Sequence, residues 1–97
     1  MSVDIGTMIV SSPDFKHGRP HIAGTGITVH RIAIFYKLGY SPEKIVRNYP
    51  HLTLAGVYAA LAFYHANRAE IDAEIEAEEA EYDRLEQEFL KAKQTTL

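Results

Sequence analysis

Five histidines and a run of C-terminal acids are the residues of this 97-residue chain whose types could do chemistry. His17 and His21 stand four apart, the spacing at which two imidazoles on a helix share a metal ion. Pro20 lies between them, so they do not share a helix face. The chain has no cysteine, and no His/carboxylate cluster shows the spacing of a zinc site. The histidines therefore read as ordinary surface residues. Glu70, Glu74 and Glu78, with Glu81 and Asp83, resemble paired catalytic acids only in type. A general acid needs a pocket that moves its pKa, and a solvated helix offers none. Gly24-x-Gly26 lacks the following glycine and helix of a dinucleotide loop, and no serine-nucleophile motif occurs. These patterns point to a binding module rather than an enzyme, with no metal and no cofactor.

Two other sets of residues suit binding. Arg31, Lys44 and Arg47 could contact phosphates, with Thr53, Tyr58 or His51 left for base readout. Against DNA contact, the helix that would read bases, Leu54-Ala55-Gly56-Val57-Tyr58-Ala59-Ala60-Leu61-Ala62-Phe63-Tyr64, contains no charge. Small and aromatic residues nearly all round usually mark a buried or dimer-forming helix. DNA contact and a purely structural helix bundle both remain open on these residues. The second set is a seam at alternating three and four spacing that runs on through Ile71, Ile75, Tyr82, Leu85 and Phe89, interrupted by Arg68 and Glu78. Such a seam keeps to one stripe of a helix, as in coiled coils.

The elements that position these residues follow from local chemistry. Met8-Ile9-Val10 is β-prone and is ended by the turn Ser12-Pro13-Asp14; His17-Gly18-Arg19-Pro20 is a second turn. His21-Ile22-Ala23 and Ile27-Thr28-Val29 flank Gly24-Thr25-Gly26, which predicts a small β-ribbon. A first helix should cover about Val29 to Leu38 and stop at Gly39. Ser41-Pro42-Glu43 starts a short second helix that Pro50 ends. Thr53 caps a third. From Leu54 onward there is no proline, and the continuous seam predicts one long helix; a break near Asn67 is the alternative. Forty helical residues would span about 60 Å, whereas a head of this size is about 25–30 Å across. Roughly half of such a helix would stand clear, its seam in water, unless a second copy, another protein or the head itself covers it.

The expected architecture is mainly α: a small N-terminal β-ribbon and a three-helix head of helix-turn-helix type, homeodomain-like or winged-helix-like, over residues 8–68, then an acidic partner-binding helix over 69–97. Charge divides the same way. Residues 1–68 hold seven Lys/Arg against three Asp/Glu, and residues 69–97 hold three against ten, within a net charge of −3. A basic head and an acidic tail suit different partners. No apolar run is long enough to span a membrane. Met1 to Val10 lacks the basic start and apolar stretch of a signal peptide, and the absence of cysteine fits a reducing cytosol. A cytoplasmic protein is expected.

An ordered series of residues is familiar. It runs Ile9-Val10-Ser11-Ser12-Pro13-Asp14; Gly18-x-Pro20-x-Ile22-x-Gly24-Thr25-x-Ile27-x-Val29; Gly39-Tyr40-Ser41-Pro42-Glu43-x-Ile45; Tyr49-Pro50-His51-Leu52-Thr53; and Val57-Tyr58-Ala59-Ala60-Leu61-Ala62-Phe63-Tyr64. It resembles domain-of-unknown-function family 433 over about Met8 to Asp72. The resemblance implies a homeodomain-like, winged-helix-type fold. It also implies the role of a VapB-like antitoxin in type II toxin–antitoxin pairs, neutralising a PIN-like toxin ribonuclease and repressing its own operon. The sequence departs from the pattern at Gly26, where arginine is common, and at Gly56, where an acid is common. The first removes a phosphate or toxin contact, and the second is expected to loosen the start of the third helix.

The site residues that follow are Arg31, Lys44, Arg47, Thr53 and Tyr58 for operator DNA, and Ile71, Ile75, Tyr82, Leu85 and Phe89 for a cognate toxin or a self interface. Arg84 is the candidate for reaching a toxin's acidic metal site. A homodimer or higher homo-oligomer is expected. The competing reading is a homo-oligomeric structural or adaptor protein without DNA binding.

Overall fold

The computed structural model describes residues 4–95. The chain forms two compact units, Met1–Asn67 and Arg68–Leu97; the last two residues of the expected tail lie outside the described residues. The first unit is mainly helical, with a two-stranded antiparallel sheet at its N-terminal end.

In that sheet β1 (Ile9–Val10) pairs with β2 (His21–Ile22), Ile9 opposite Ile22 and Val10 opposite His21. This is the small N-terminal β-ribbon expected within residues 8–29, built from its first two β-prone runs rather than from Ile27-Thr28-Val29. His21 meets Thr28 only in an isolated bridge. The chain turns sharply there, with the Thr25 N–H on the Ile22 carbonyl at 3.0 Å and Gly24 at φ 78°. Between the strands Lys16, His17 and Gly18 take φ of 52°, 57° and 77°. Three successive left-handed residues, two of them with a Cβ, cost roughly 1–2 kcal/mol at each non-glycine. The turn is fastened by Gly18 N–H to the Phe15 carbonyl (3.0 Å) and Arg19 N–H to that of Lys16 (3.1 Å).

Each helix of the head begins where its capping residue stands. Thr28, Ser41 and Thr53 accept the N–H of Arg31, Lys44 and Gly56 at 3.1, 3.2 and 3.0 Å. They open α1 (Val29–Lys37), α2 (Pro42–Asn48) and α3 (Leu54–Ala66). The end of α1 is a Schellman turn. Gly39, at φ 91°, donates to Tyr36, and Tyr40 donates to Phe35, both at 3.0 Å. After α2, Leu52 N–H closes a tight turn on the Tyr49 carbonyl at 2.9 Å.

The core forms around α3, which packs on α1, α2 and both strands. Val57, Ala60 and Tyr64 of α3 are fully buried with Val29, Ile32 and Ala33 of α1 and Ile45 of α2; Leu52 and Ile22 close the ends. Gly56 is buried as well, and a Cβ on it would stand 3.2 Å from Ile22 Cγ2 and from Thr53 Oγ1. Its glycine thus lets β2 approach α3 closely. The start of α3 is capped and packed, not loosened.

One expectation is overturned. The helix begun at Leu54 is not continuous: it stops at Ala66, and a second helix, α4 (Arg68–Thr95), follows. Asn67 sits at φ −128°, ψ 33°, outside helical geometry, and its backbone N–H donates to both Phe63 and Tyr64. Its side-chain amide donates to the Phe63 carbonyl at 3.0 Å. The local bonds of an asparagine thus replace the next turn of helix. The second unit is this helix of 28 residues, about 42 Å long. No helix among the described residues is long and apolar enough to cross a membrane.

Candidate functional site

The stripe on α4 is the most distinctive surface of the second unit. At 100° per residue Ile71, Ile75, Tyr82, Leu85 and Phe89 fall within about 80° of one another. The stripe is not uniform. Ile71 and Ile75 are 2% and 3% exposed, whereas Tyr82, Leu85 and Phe89 are 70%, 51% and 66% exposed. The last three form an open apolar face. Leu90, also exposed, extends it. Leu90 lies off the three-four spacing, which is why periodicity passes it over. Covering the three open side chains is worth roughly 1–2 kcal/mol each, scaled from full burial.

The rest of α4 is charged, and its bonds are internal. Arg84 reaches back to Glu81, with Nη2 at 2.5 Å and Nε at 3.1 Å, and forward to Glu88, with Nη1 at 2.6 Å. Hydrogen bonding from Arg84 holds the Glu81 carboxyl below its ordinary range, and the same bond raises Arg84 above its own. Both side chains are exposed. Arg84, considered for a partner's acidic metal site, is thus engaged by two carboxylates of its own helix. Arg68 lies 3.6 Å from Asp72.

The residues considered for DNA fall on three helices of the head. Lys44 and Arg47 stand three apart on the exposed face of α2, away from buried Ile45. The Lys44 ammonium lies 4.6 Å over the Tyr40 ring, and Tyr40 stacks on Phe35 at 5.6 Å with the rings 3° from parallel. Phe35 also meets Tyr49 at 5.7 Å, so the aromatic side chains join the end of α1 to both ends of α2 and steady Lys44. Thr53 spends a lone pair on the α3 cap. Tyr58 is exposed on α3 in a face completed by Leu54, Ala55, Ala62, His65 and Ala66, which carries no formally charged side chain. Tyr36 borders that face, edge-on to His65 at 5.2 Å.

Arg31 stands on the first turn of α1 and lines a cavity of about 170 Å3 with Lys16, Gly26, Ile27 and Thr28. Neither Lys44 nor Arg47 belongs to that lining. Lys16 and Gly26 are functional candidates that sequence reasoning missed as a pair. Their only signal was a cation beside a glycine turn and a glycine where the resemblance has arginine. Of the histidines, His21 and His30 are buried in the head, with His21 4.6 Å from the Phe15 ring. No three His, Asp or Glu side chains among the described residues converge as a metal site would require.

Residues 9–64 match the family model described as protein of unknown function DUF433. The chain belongs to this family. A solved DUF433 member, from Anabaena variabilis ATCC 29413, is similar over 70% of this chain and 67% of its own, with 31% sequence identity and a TM-score of 0.65. No curated protein matches. The DUF433 match ends at residue 64, so the family model covers the three N-terminal caps, the core of the head and α3 as far as Tyr64, and leaves His65, Ala66 and α4 outside it.

Proposed function

We propose that this DUF433 protein is an antitoxin-type binding protein of a type II toxin–antitoxin pair. In this reading α4 neutralises a PIN-like ribonuclease toxin, and α2, the tight turn and α3 act as a helix-turn-helix that represses the operon. The observation that carries it is the open stripe of Tyr82, Leu85 and Phe89 on a helix whose other faces are acidic. An apolar stripe flanked by carboxylates suits a groove that is apolar at its floor and basic at its rim, as a nucleic-acid-cleaving partner presents to its substrate. Glu81 and Glu88 flank the stripe, and the Arg84 bonds hold them in place. The protein acts by binding, not by catalysis, needs no cofactor, and works in the cytoplasm. Co-expression with the neighbouring reading frame tests this. A complex should form, and Leu85→Asp with Phe89→Asp should abolish it; the absence of any complex removes the reading.

A second reading has its own support. The exposed face of α3, from Leu54 to Ala66, carries no charge, so a second copy can lie against it without like-charge cost. That favours a homodimeric or larger structural or adaptor protein without DNA binding. A mobility shift with upstream promoter DNA separates the two, because phosphate contacts weaken with salt.

A further inference from the structure

The cavity beside α1 has two charged walls, Lys16 and Arg31, and both are cations. Neither forms an ion pair among the described residues; Lys16 only lies 5.9 Å from the Phe15 ring. Two uncompensated positive charges on one small cavity attract an anion.

Residue 26 is a glycine in the wall between them. Gly26 does not need to be one. Its φ lies outside the left-handed region, and a Cβ would meet only Lys16 Cε and Phe15 Cζ, each at an ordinary 3.9 Å. This contrasts with Gly24, whose φ of 78° favours glycine, and with Gly56, which a neighbour crowds. A longer side chain at 26 would stand beside Lys16 at the cavity wall and is expected to occupy part of the space. The other walls are fixed. Lys16 belongs to the left-handed turn held by the Gly18 and Arg19 amides. Thr28 caps α1 through the Arg31 N–H at 3.1 Å. The positive end of the α1 dipole therefore adds to the field of the two side chains.

We infer that this cavity is an oxyanion site that takes a phosphate group, from a nucleic-acid backbone or from a free phosphate. The inference does not rest on the toxin-binding reading, which concerns α4.

The test is amide NMR on the full chain, titrated first with inorganic phosphate and then with a short DNA duplex. Phosphate should shift the amides of Lys16 and of residues 26–31, and Gly26→Leu and Lys16→Ala/Arg31→Ala should each weaken that binding by about tenfold or more, the worth of a charge-assisted contact. Gly26→Leu keeps both charges and is expected to occupy part of the space, and a thermal melt verifies that each variant folds. Shifts of the same amides by the duplex, reversed by phosphate, support the site with nucleic acid as the source. Shifts by phosphate alone support it with a free phosphate as the source. No shift at these amides, or equal binding by wild type and Gly26→Leu, overturns the inference.

Discussion

The side-chain amide of Asn67 and its own backbone N–H converge on one acceptor, the carbonyl oxygen of Phe63, at 3.0 and 3.1 Å. That shared bond ends α3 and separates the capped head from the acidic helix. Asn67→Ala removes the side-chain donor and supplies the best helix former. Carbon chemical shifts at residues 66–68 should move toward helical values. Unchanged shifts would mean that packing rather than this residue sets the break.

Stability and binding should separate between the two units. Ile32 has no exposed surface, so Ile32→Ala leaves a cavity and should cost about 2–5 kcal/mol in denaturant unfolding. Phe89→Ala removes a ring that lies in water and should change unfolding by less than about 0.5 kcal/mol. The same Phe89→Ala should weaken the toxin complex. A large stability loss from it would mean that the ring is covered within the protein itself.

Acid should act on α4 in two stages. As its carboxylates take up protons, like-charge repulsion between neighbours four apart falls, and helical content should rise. The Glu81–Arg84 pair behaves oppositely. The folded-state pKa of Glu81 is depressed by the hydrogen bond from Arg84. Its contribution is therefore present above the ordinary glutamate value of about 4.3 and is lost as pH falls through the lowered one. Circular dichroism of wild type against Arg84→Ala checks this. The wild type should be more helical at pH 7 and still so near pH 4, with the difference closing only below that. A difference that vanishes well above pH 5 would contradict it.

If the head binds operator DNA, Lys44 and Arg47 are its phosphate contacts on α2. Alanine at both should weaken the mobility shift at all sequences and reduce the slope of log affinity against log salt by about 0.9 per lost contact. No change with either substitution would favour the homo-oligomeric adaptor.

The starts at Ser41 and Thr53 were legible because each rests on a side chain that accepts the N–H three residues on, and the stop at Gly39 because a left-handed residue ends α1 there. The Thr28 cap acts in the same way but was not read from the sequence. What failed was not local. Both strands pack on α3, and Val10 finds His21 across a left-handed turn that no composition at Lys16 and His17 announces. The seam from Leu54 to Phe89 suggested one helix because hydrophobic spacing carries no record of a single asparagine's hydrogen bonds, although Arg68 interrupting the seam was a signal of the break. Gly56 looked permissive in sequence and is a close contact in space. Gly26, read as a lost contact, also lines a cavity that the sequence did not show. Ile71 and Ile75 share a stripe with Tyr82, Leu85 and Phe89, and spacing alone could not say which of the five is covered.

The most direct measurement is the mass of the species that carries this chain after co-expression with its neighbouring reading frame. Light scattering on purified material, wild type beside Leu85→Asp/Phe89→Asp, should give a stoichiometric hetero-complex for the first and none for the second, with the head equally stable in both. An unchanged complex in the double variant, or a wild-type chain that purifies alone in every condition, would contradict the account.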